Sequence, residues 1–150
     1  MENRLEIPAP LRAEHEELHA RLAAATREPG AIGAAAREVA RVLHPHFVRE
    51  EEFALPPLAL LAPLARGETP PHMAEVLSMT SRLKAELPAM LAEHGQIVGA
   101  LEKLRDAARA AGLPEYESFA DALVLHAQTE ESVLYPAASL VGEFIAQKMR

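Results

Sequence analysis

The chain has no cysteine, and aromatic residues make up only 4% of its 150 residues. Without cysteine it has no disulfides, no thiolate metal sites and no thiol chemistry. Its apolar residues are mostly alanine and leucine, and few of them are β-branched. This balance disfavours strands and favours helices. We therefore expect an all-α protein.

Long apolar runs and basic stripes are also missing. The longest apolar run, residues 53–65, contains three prolines and is too short to cross a bilayer. The net charge of −7 and the lack of a basic stripe argue against binding to nucleic acid. The first ten residues, MENRLEIPAP, are polar and do not resemble a signal peptide. We expect a cytoplasmic protein with neither a membrane nor a nucleic-acid partner.

Hydrophobic residues at 49% and charged residues at 25% are typical of a single globular domain, here residues 1–150. Glycine and proline divide the chain into four long segments with the apolar spacing of helices. The segments are residues 10–27, 31–53 with an extension to 66, 71–111 and 114–148. They predict an up-down antiparallel four-helix bundle. We expect kinks or breaks at Pro45 and Pro88, and a bent or ended helix at Pro56 and Pro136.

The chain also repeats itself with a shift of about 80 residues. Each half contains a Glu-His pair, then the sequence HxxxEE, then a proline ten residues after the second histidine. The matching residues are Glu14-His15, His46, Glu50-Glu51 and Pro56 in the first half, and Glu93-His94, His126, Glu130-Glu131 and Pro136 in the second. The repeat predicts that a pseudo-two-fold axis relates the two halves of the bundle.

The repeated residues are typical metal ligands. Residues four apart lie on one face of a helix, so His46 and Glu50 point the same way, as do His126 and Glu130. Imidazole and carboxylate together suit first-row transition metals, and a cation neutralises carboxylates that would be costly to bury alone. The predicted metal ligands are His15, His46, Glu50, His94, His126 and Glu130, with His19, Glu51 and Glu131 as additional candidates.

These residues resemble the hemerythrin-like family, or HHE cation-binding domains, over about residues 11–136. The resemblance implies a four-helix bundle around a non-haem di-iron centre. Family members bind dioxygen, sense oxygen or redox state, or handle iron or nitric oxide. We therefore expect two iron ions, with manganese or zinc as alternatives, and dioxygen or another small diatomic or anionic ligand. Enzymatic activity with peroxide or nitric oxide stays open, and we expect a monomer or homodimer.

The third helix departs from the pattern of oxygen-carrying hemerythrins, which have two histidines four residues apart there. In this chain Val98 follows His94 at that spacing, whereas His15 and His19 have the spacing on the first helix. If His19 replaces the missing ligand, five histidines leave one open position on the metal pair, which suits reversible binding. Four histidines leave two open positions and favour redox turnover.

Three alternatives compete with this interpretation. Residues 15–19 match HExxH, the zinc-protease motif, but Leu22 and Ala25 stand where the extended motif needs Gly and His. A ferritin-like site needs ExxH on two helices, and only Glu16 with His19 has that spacing. A helical interaction module without metal would use the apolar residues 53–65 and 133–144 as a dimer surface.

Overall fold

The computed structural model describes residues 5–150, so the first four residues of the predicted domain lie outside the described part. Every regular element between residues 5 and 150 is helical. The elements are α1 (Ala9–Thr26), α2 (Gly30–Arg49), a first π turn (Glu50–Ala54), a 3-10 helix (Pro56–Leu60), α3 (Leu61–Ala65), α4 (Met73–Ala111), α5 (Pro114–Thr129), a second π turn (Glu130–Leu134) and α6 (Tyr135–Lys148). None of the helices described is long and apolar enough to span a membrane.

The long helices pack as a helical bundle. Helix α1 packs against α2 and α5, and α4 packs against α2, α5 and α6. Gly30 and Gly112 mark two of the connections, with φ angles of 69° and 70° that favour glycine. The Gly112 N–H also caps α4 by donating to carbonyls of its last turn. The all-α prediction is confirmed, and the helices begin and end close to the predicted positions.

The prolines act differently at different places. Helices α2 and α4 continue through Pro45 and Pro88, so the chain has no break there. The two helices pack against each other, and this packing outweighs one lost backbone hydrogen bond at each proline. Before Pro56 and Pro136 the helix changes type instead, because proline has no N–H to continue the α-helical pattern. In the first π turn Leu55 N–H donates to the Glu50 carbonyl at 2.9 Å, an i to i+5 bond.

The buried apolar side chains form three clusters along the bundle. The first packs α1, α2, α4 and α5 together and includes Phe47, Ile97 and Leu123. The second includes Phe53 and Tyr135, and the third packs the end of the bundle against α6. Most large side chains between residues 53 and 64 are buried in the second and third clusters. This apolar stretch therefore closes the core.

Six buried polar residues, which we call the belt, separate the first apolar cluster from the second. They are His15, His46, Glu50, His94, His126 and Glu130. On α4, His94 lies between Met90 of the second cluster and Ile97 of the first. Glu50 likewise follows Phe47 of the first cluster and precedes Phe53 of the second. The belt is thus shielded from water by apolar side chains on both sides.

Candidate metal centre

Two groups of side chains in the belt have the composition and spacing of metal sites, and they share two glutamates. The first group, which we call the first ligand cluster, consists of His15, His126, Glu50 and Glu130. The second ligand cluster consists of His46, His94, Glu50 and Glu130. Within each group the candidate ligand atoms lie within 4.8 Å of one another. All six residues are at most 5% exposed. The fold thus brings together the six main candidates of the sequence.

The distances between ligand atoms are close to those of a coordination shell. The Nε2 atoms of His94 and His126 each lie 3.2 Å from a Glu130 oxygen. His46 Nε2 lies 3.6 Å from Glu50 Oε1, and His15 Nε2 lies 3.8 Å from Glu130 Oε2. Two ligand atoms at right angles on one ion, each about 2.1 Å from it, are about 3 Å apart. Small side-chain movements therefore bring these atoms to coordination distance.

Several of these atoms are buried without a hydrogen-bond partner in the described residues. They are His15 Nε2, His126 Nε2, Glu50 Oε1 and Glu130 Oε2. A buried polar atom without a partner costs free energy, and a buried carboxylate costs more. A cation accepts lone pairs from all four atoms at once and removes that cost. The residues present therefore fit a pair of metal ions.

The outer nitrogen of each histidine faces a carboxylate from a neighbouring helix or π turn. His15 Nδ1 lies 3.4 Å from Glu51, His46 Nδ1 lies 3.0 Å from Glu93, His94 Nδ1 lies 2.8 Å from Glu131, and His126 Nδ1 is hydrogen-bonded to Glu14. When Nδ1–H donates to a carboxylate, Nε2 keeps its lone pair for a metal, and the ring is held in place. Glu51 and Glu131 therefore lie on the outer side of the imidazoles and belong to neither ligand cluster.

The Glu-His pairs of the sequence explain two of these contacts. Neighbouring residues on a helix point about 100° apart, so a glutamate beside an axis-facing histidine points toward an adjacent helix. Glu14 of α1 reaches His126 of α5, and Glu93 of α4 reaches His46 of α2. Sequence reasoning used the pairs only as part of the repeat and missed this function. The signal was the glutamate that precedes a ligand candidate in each half.

Burial and close packing perturb the ionisation of the belt. Burial and the neighbouring Glu130 hold the pKa of Glu50 well above its usual range. Burial also opposes ionisation of Glu130, but the close approach of Glu50 and nearby histidines holds its pKa well below the usual range. Burial and the neighbouring His94 lower the pKa of His46 to about 4. For His94 and His126 burial lowers the pKa, but the neighbouring carboxylates of Glu130 and of one outer glutamate outweigh it, so both pKa values are raised. Protons shared among these groups thus partly neutralise the belt without metal.

Tyr135 is a site residue that sequence reasoning missed. Its hydroxyl donates to Glu50 Oε2 at 2.6 Å and lies 3.3 Å from Nε2 of both His46 and His94. Burial and Glu50 raise its pKa far above the usual range, so the phenol stays protonated. In an α-helix a residue five after Glu130 points about 140° away from it. The second π turn, in which Tyr135 N–H donates to the Glu130 carbonyl, brings the side chain to the site.

His19 lies outside both ligand clusters. Phe47 stacks on His15 with ring centroids 4.0 Å apart, and His19 contacts the same Phe47 ring and His44. His19 is half-buried and lines a groove of about 260 Å³. Since His15 and His19 share no ligand cluster and Glu16 is exposed, the geometry gives no support to the HExxH alternative within residues 5–150.

The family model described as the hemerythrin HHE cation binding domain matches residues 7–138. The chain belongs to this family. The match spans both HxxxEE sequences and all six residues of the ligand clusters, and it confirms the resemblance seen in the sequence. Neither the curated proteins nor the solved structures contain a match.

Proposed function

We propose that this hemerythrin-like chain binds two metal ions between Glu50 and Glu130. One ion takes His15 and His126 as further ligands, and the other takes His46 and His94. The observation that carries the proposal is the pair of buried ligand clusters that share both glutamates. A carboxylate has two oxygens, so each shared glutamate is able to bridge two ions. The four outer carboxylates add support, because metal-ligating histidines usually donate their other N–H in this way.

Iron is the metal we propose, with manganese and zinc as the alternatives that the test must separate. Imidazole and carboxylate ligands suit all three metals. The family membership favours a cation in this site, and the resemblance noted in the sequence favours a di-iron centre. When bound by four histidines and two glutamates, such a pair would supply one-electron redox chemistry and two open positions for small ligands.

The ligand we propose is dioxygen or a related small diatomic or anionic molecule, which the protein binds or senses. Handling of iron or of redox species such as peroxide or nitric oxide is the second form of the same function, and the four histidines of the two ligand clusters favour redox turnover. The chain's own residues support a small ligand, because the belt lies between two apolar clusters that exclude water. Tyr135 supplies a hydroxyl donor that faces Glu50 and both histidines of the second ligand cluster.

We also propose that the chain is a single domain with an up-down antiparallel arrangement and a pseudo-two-fold axis. Short connections, residues 27–29 and 112–113, join α1 to α2 and α4 to α5, and such connections favour antiparallel neighbours. The two π turns begin at the first glutamate of each HxxxEE sequence, which supports the internal repeat. A cytoplasmic location and a monomeric or homodimeric state are parts of the proposal.

The test is anaerobic loading of metal-free protein with ferrous iron, followed by elemental analysis and an absorption spectrum before and after exposure to air. Two equivalents of iron per chain and a spectrum that changes with air are expected. A reproducible content of one zinc with no uptake of iron would overturn the proposal. Parallel loading with manganese and zinc identifies the preferred metal.

A further inference from the structure

One of the four outer carboxylates differs from the others. Glu93, which faces His46 Nδ1, also forms an ion pair with Arg49. Among the ion pairs within residues 5–150, the outer carboxylates Glu14, Glu51 and Glu131 contact only their histidines. In the second ligand cluster, a cation therefore pairs with the carboxylate that faces His46. Among the described ion pairs, no cation pairs with the outer carboxylates of the first ligand cluster.

The Arg49–Glu93 pair is also less exposed than the other outer carboxylates. Both side chains are 25% exposed, against 42% for Glu51, 43% for Glu131 and 48% for Glu14. Solvent screens a charge less as its exposure falls. Arg49 therefore neutralises Glu93 more effectively than water and salt neutralise the other three carboxylates.

The second half of the sequence repeat has no cation at the position that matches Arg49. Arg49 lies three residues after His46, and the residue three after His126 is Thr129. Thr129 is exposed, and its hydroxyl donates to the carbonyl of Leu125 at 3.0 Å. The outer partner of His126 is Glu14, so an arginine at position 129 would stand beside Glu14 much as Arg49 stands beside Glu93.

A carboxylate that accepts the Nδ1–H of a histidine makes Nε2 a stronger donor to a metal. An arginine paired with that carboxylate withdraws part of this effect. His46 is then a weaker electron donor than the other histidines, and an ion beside it is poorer in electrons. Such an ion favours its ferrous over its ferric state.

On these grounds, and resting on the di-iron function proposed above, we propose that Arg49 is a positioning residue that makes the two metal positions unequal. Through Glu93 and His46 it raises the one-electron reduction potential of the ion in the second ligand cluster. A merely structural role, in which the ion pair ties α2 to α4, would leave the potential unchanged. The two roles therefore differ in a quantity that an electrode measures.

The experiment is a spectroelectrochemical titration of iron-loaded protein, with Arg49→Thr, Arg49→Lys and Thr129→Arg variants. Arg49→Thr should lower the midpoint potential of the ion in the second ligand cluster by about 59 mV, a change of about tenfold in its ferric to ferrous ratio. The mean of the two potentials should fall by about half as much. Thr129→Arg should raise the mean potential, because it places a cation beside Glu14. Arg49→Lys keeps the charge and should stay near the wild type.

The outcomes separate this inference from the proposed function. Wild-type protein that takes up no iron overturns the proposed function, and the inference falls with it. Protein that loads two irons, but shows the same potential in Arg49→Thr and Thr129→Arg as in the wild type, overturns only the inference. If Arg49→Thr fails to fold, Thr129→Arg decides, since position 129 is exposed and an unshifted potential there contradicts the inference.

Discussion

Tyr135 and Glu50 lie 85 residues apart in the sequence, yet the tyrosine hydroxyl donates to the glutamate carboxylate at 2.6 Å. In the sequence repeat the residue that matches Tyr135 is Leu55, which has no hydroxyl. Glu50 therefore receives a phenolic donor that the leucine cannot offer to Glu130. The two shared glutamates are chemically unequal even though the sequence places them at matching positions.

Replacing Tyr135 by Phe should leave two irons bound but change the iron absorption spectrum, because Glu50 loses its donor. We expect a cost of about 1 kcal/mol in the free energy of unfolding, or a fall in Tm of roughly 2–4 °C. The matched control is Tyr116→Phe, since Tyr116 donates to Glu28 and not to the belt. If the iron spectrum of Tyr135→Phe is unchanged, like that of the control, the prediction is contradicted.

The Glu130→Gln variant should lose both ions, because Glu130 belongs to both ligand clusters and Gln carries no charge to offset a cation. Glu52→Gln is the control. Glu52 lies in the first π turn, is 50% exposed and pairs with Arg82 away from the clusters. Elemental analysis of both purified variants checks the prediction. Full iron content in Glu130→Gln would exclude this glutamate as a shared ligand.

His19→Ala should keep two irons and an unchanged absorption spectrum, because His19 contacts Phe47 and His44 and lies outside both clusters. His15→Ala, one helical turn away, should reduce the iron content. Azide affinity measured on both variants adds a readout of the open positions. An altered iron spectrum in His19→Ala would instead make His19 a fifth histidine ligand.

Metal affinity should rise with pH through the region above 6.5, and Glu50, His94 and His126 should set this dependence. The pKa of Glu50 is raised well above 4.5 and the pKa values of His94 and His126 are raised from 6.5 in the metal-free protein, so each group must release a proton to bind a metal. Proton competition is strongest below the raised pKa and disappears above it. His46, with its pKa lowered to about 4, is already neutral at pH 6 and contributes little. Metal titrations at several pH values measure the slope, and a flat profile between pH 6 and 8 would contradict the prediction.

Metal-loaded protein should melt well above metal-free protein. A ligand that binds only the folded state stabilises it by about 2.7 kcal/mol at 100 times its dissociation constant. The metal also relieves the cost of the buried atoms that lack hydrogen-bond partners in the described residues. Calorimetry with and without a chelator tests this, with Glu130→Gln as a variant whose Tm should not respond to metal. Equal Tm values for the two wild-type forms would mean that no ion binds in the belt.

Sequence reasoning predicted the helices from local spacing, and the six residues of the clusters from the HxxxE spacing and its repeat about 80 residues later. Apolar periodicity locates a helix, and the four-residue spacing of His46 and Glu50 places them on one face. Pro45 and Pro88 were expected to kink or break their helices, and neither helix breaks, since the chain stays helical through both prolines. Packing between α2 and α4, which a local pattern does not report, decides that outcome.

The remaining site residues depend on features that no single stretch of sequence displays. Tyr135 reaches the site only through a π turn, and α-helical geometry points it elsewhere. The contacts of Glu14 and Glu93 require knowledge of which helix lies beside which. His19 has ideal spacing from His15, but Phe47 packs against both rings, and His19 does not join the cluster.

The four outer hydrogen bonds also have a consequence for the exchange of metal. Glu14 joins α1 to α5, Glu131 joins the second π turn to α4, Glu93 joins α4 to α2, and Glu51 joins the first π turn to α1. Together these four hydrogen bonds form a closed ring around the belt, and the ring does not depend on a metal. If the proposed ions are removed, this ring should still hold each imidazole with Nε2 turned inward. On the proposed function, the site would thus be organised in advance for an ion, and little ordering entropy would be lost when the ion binds.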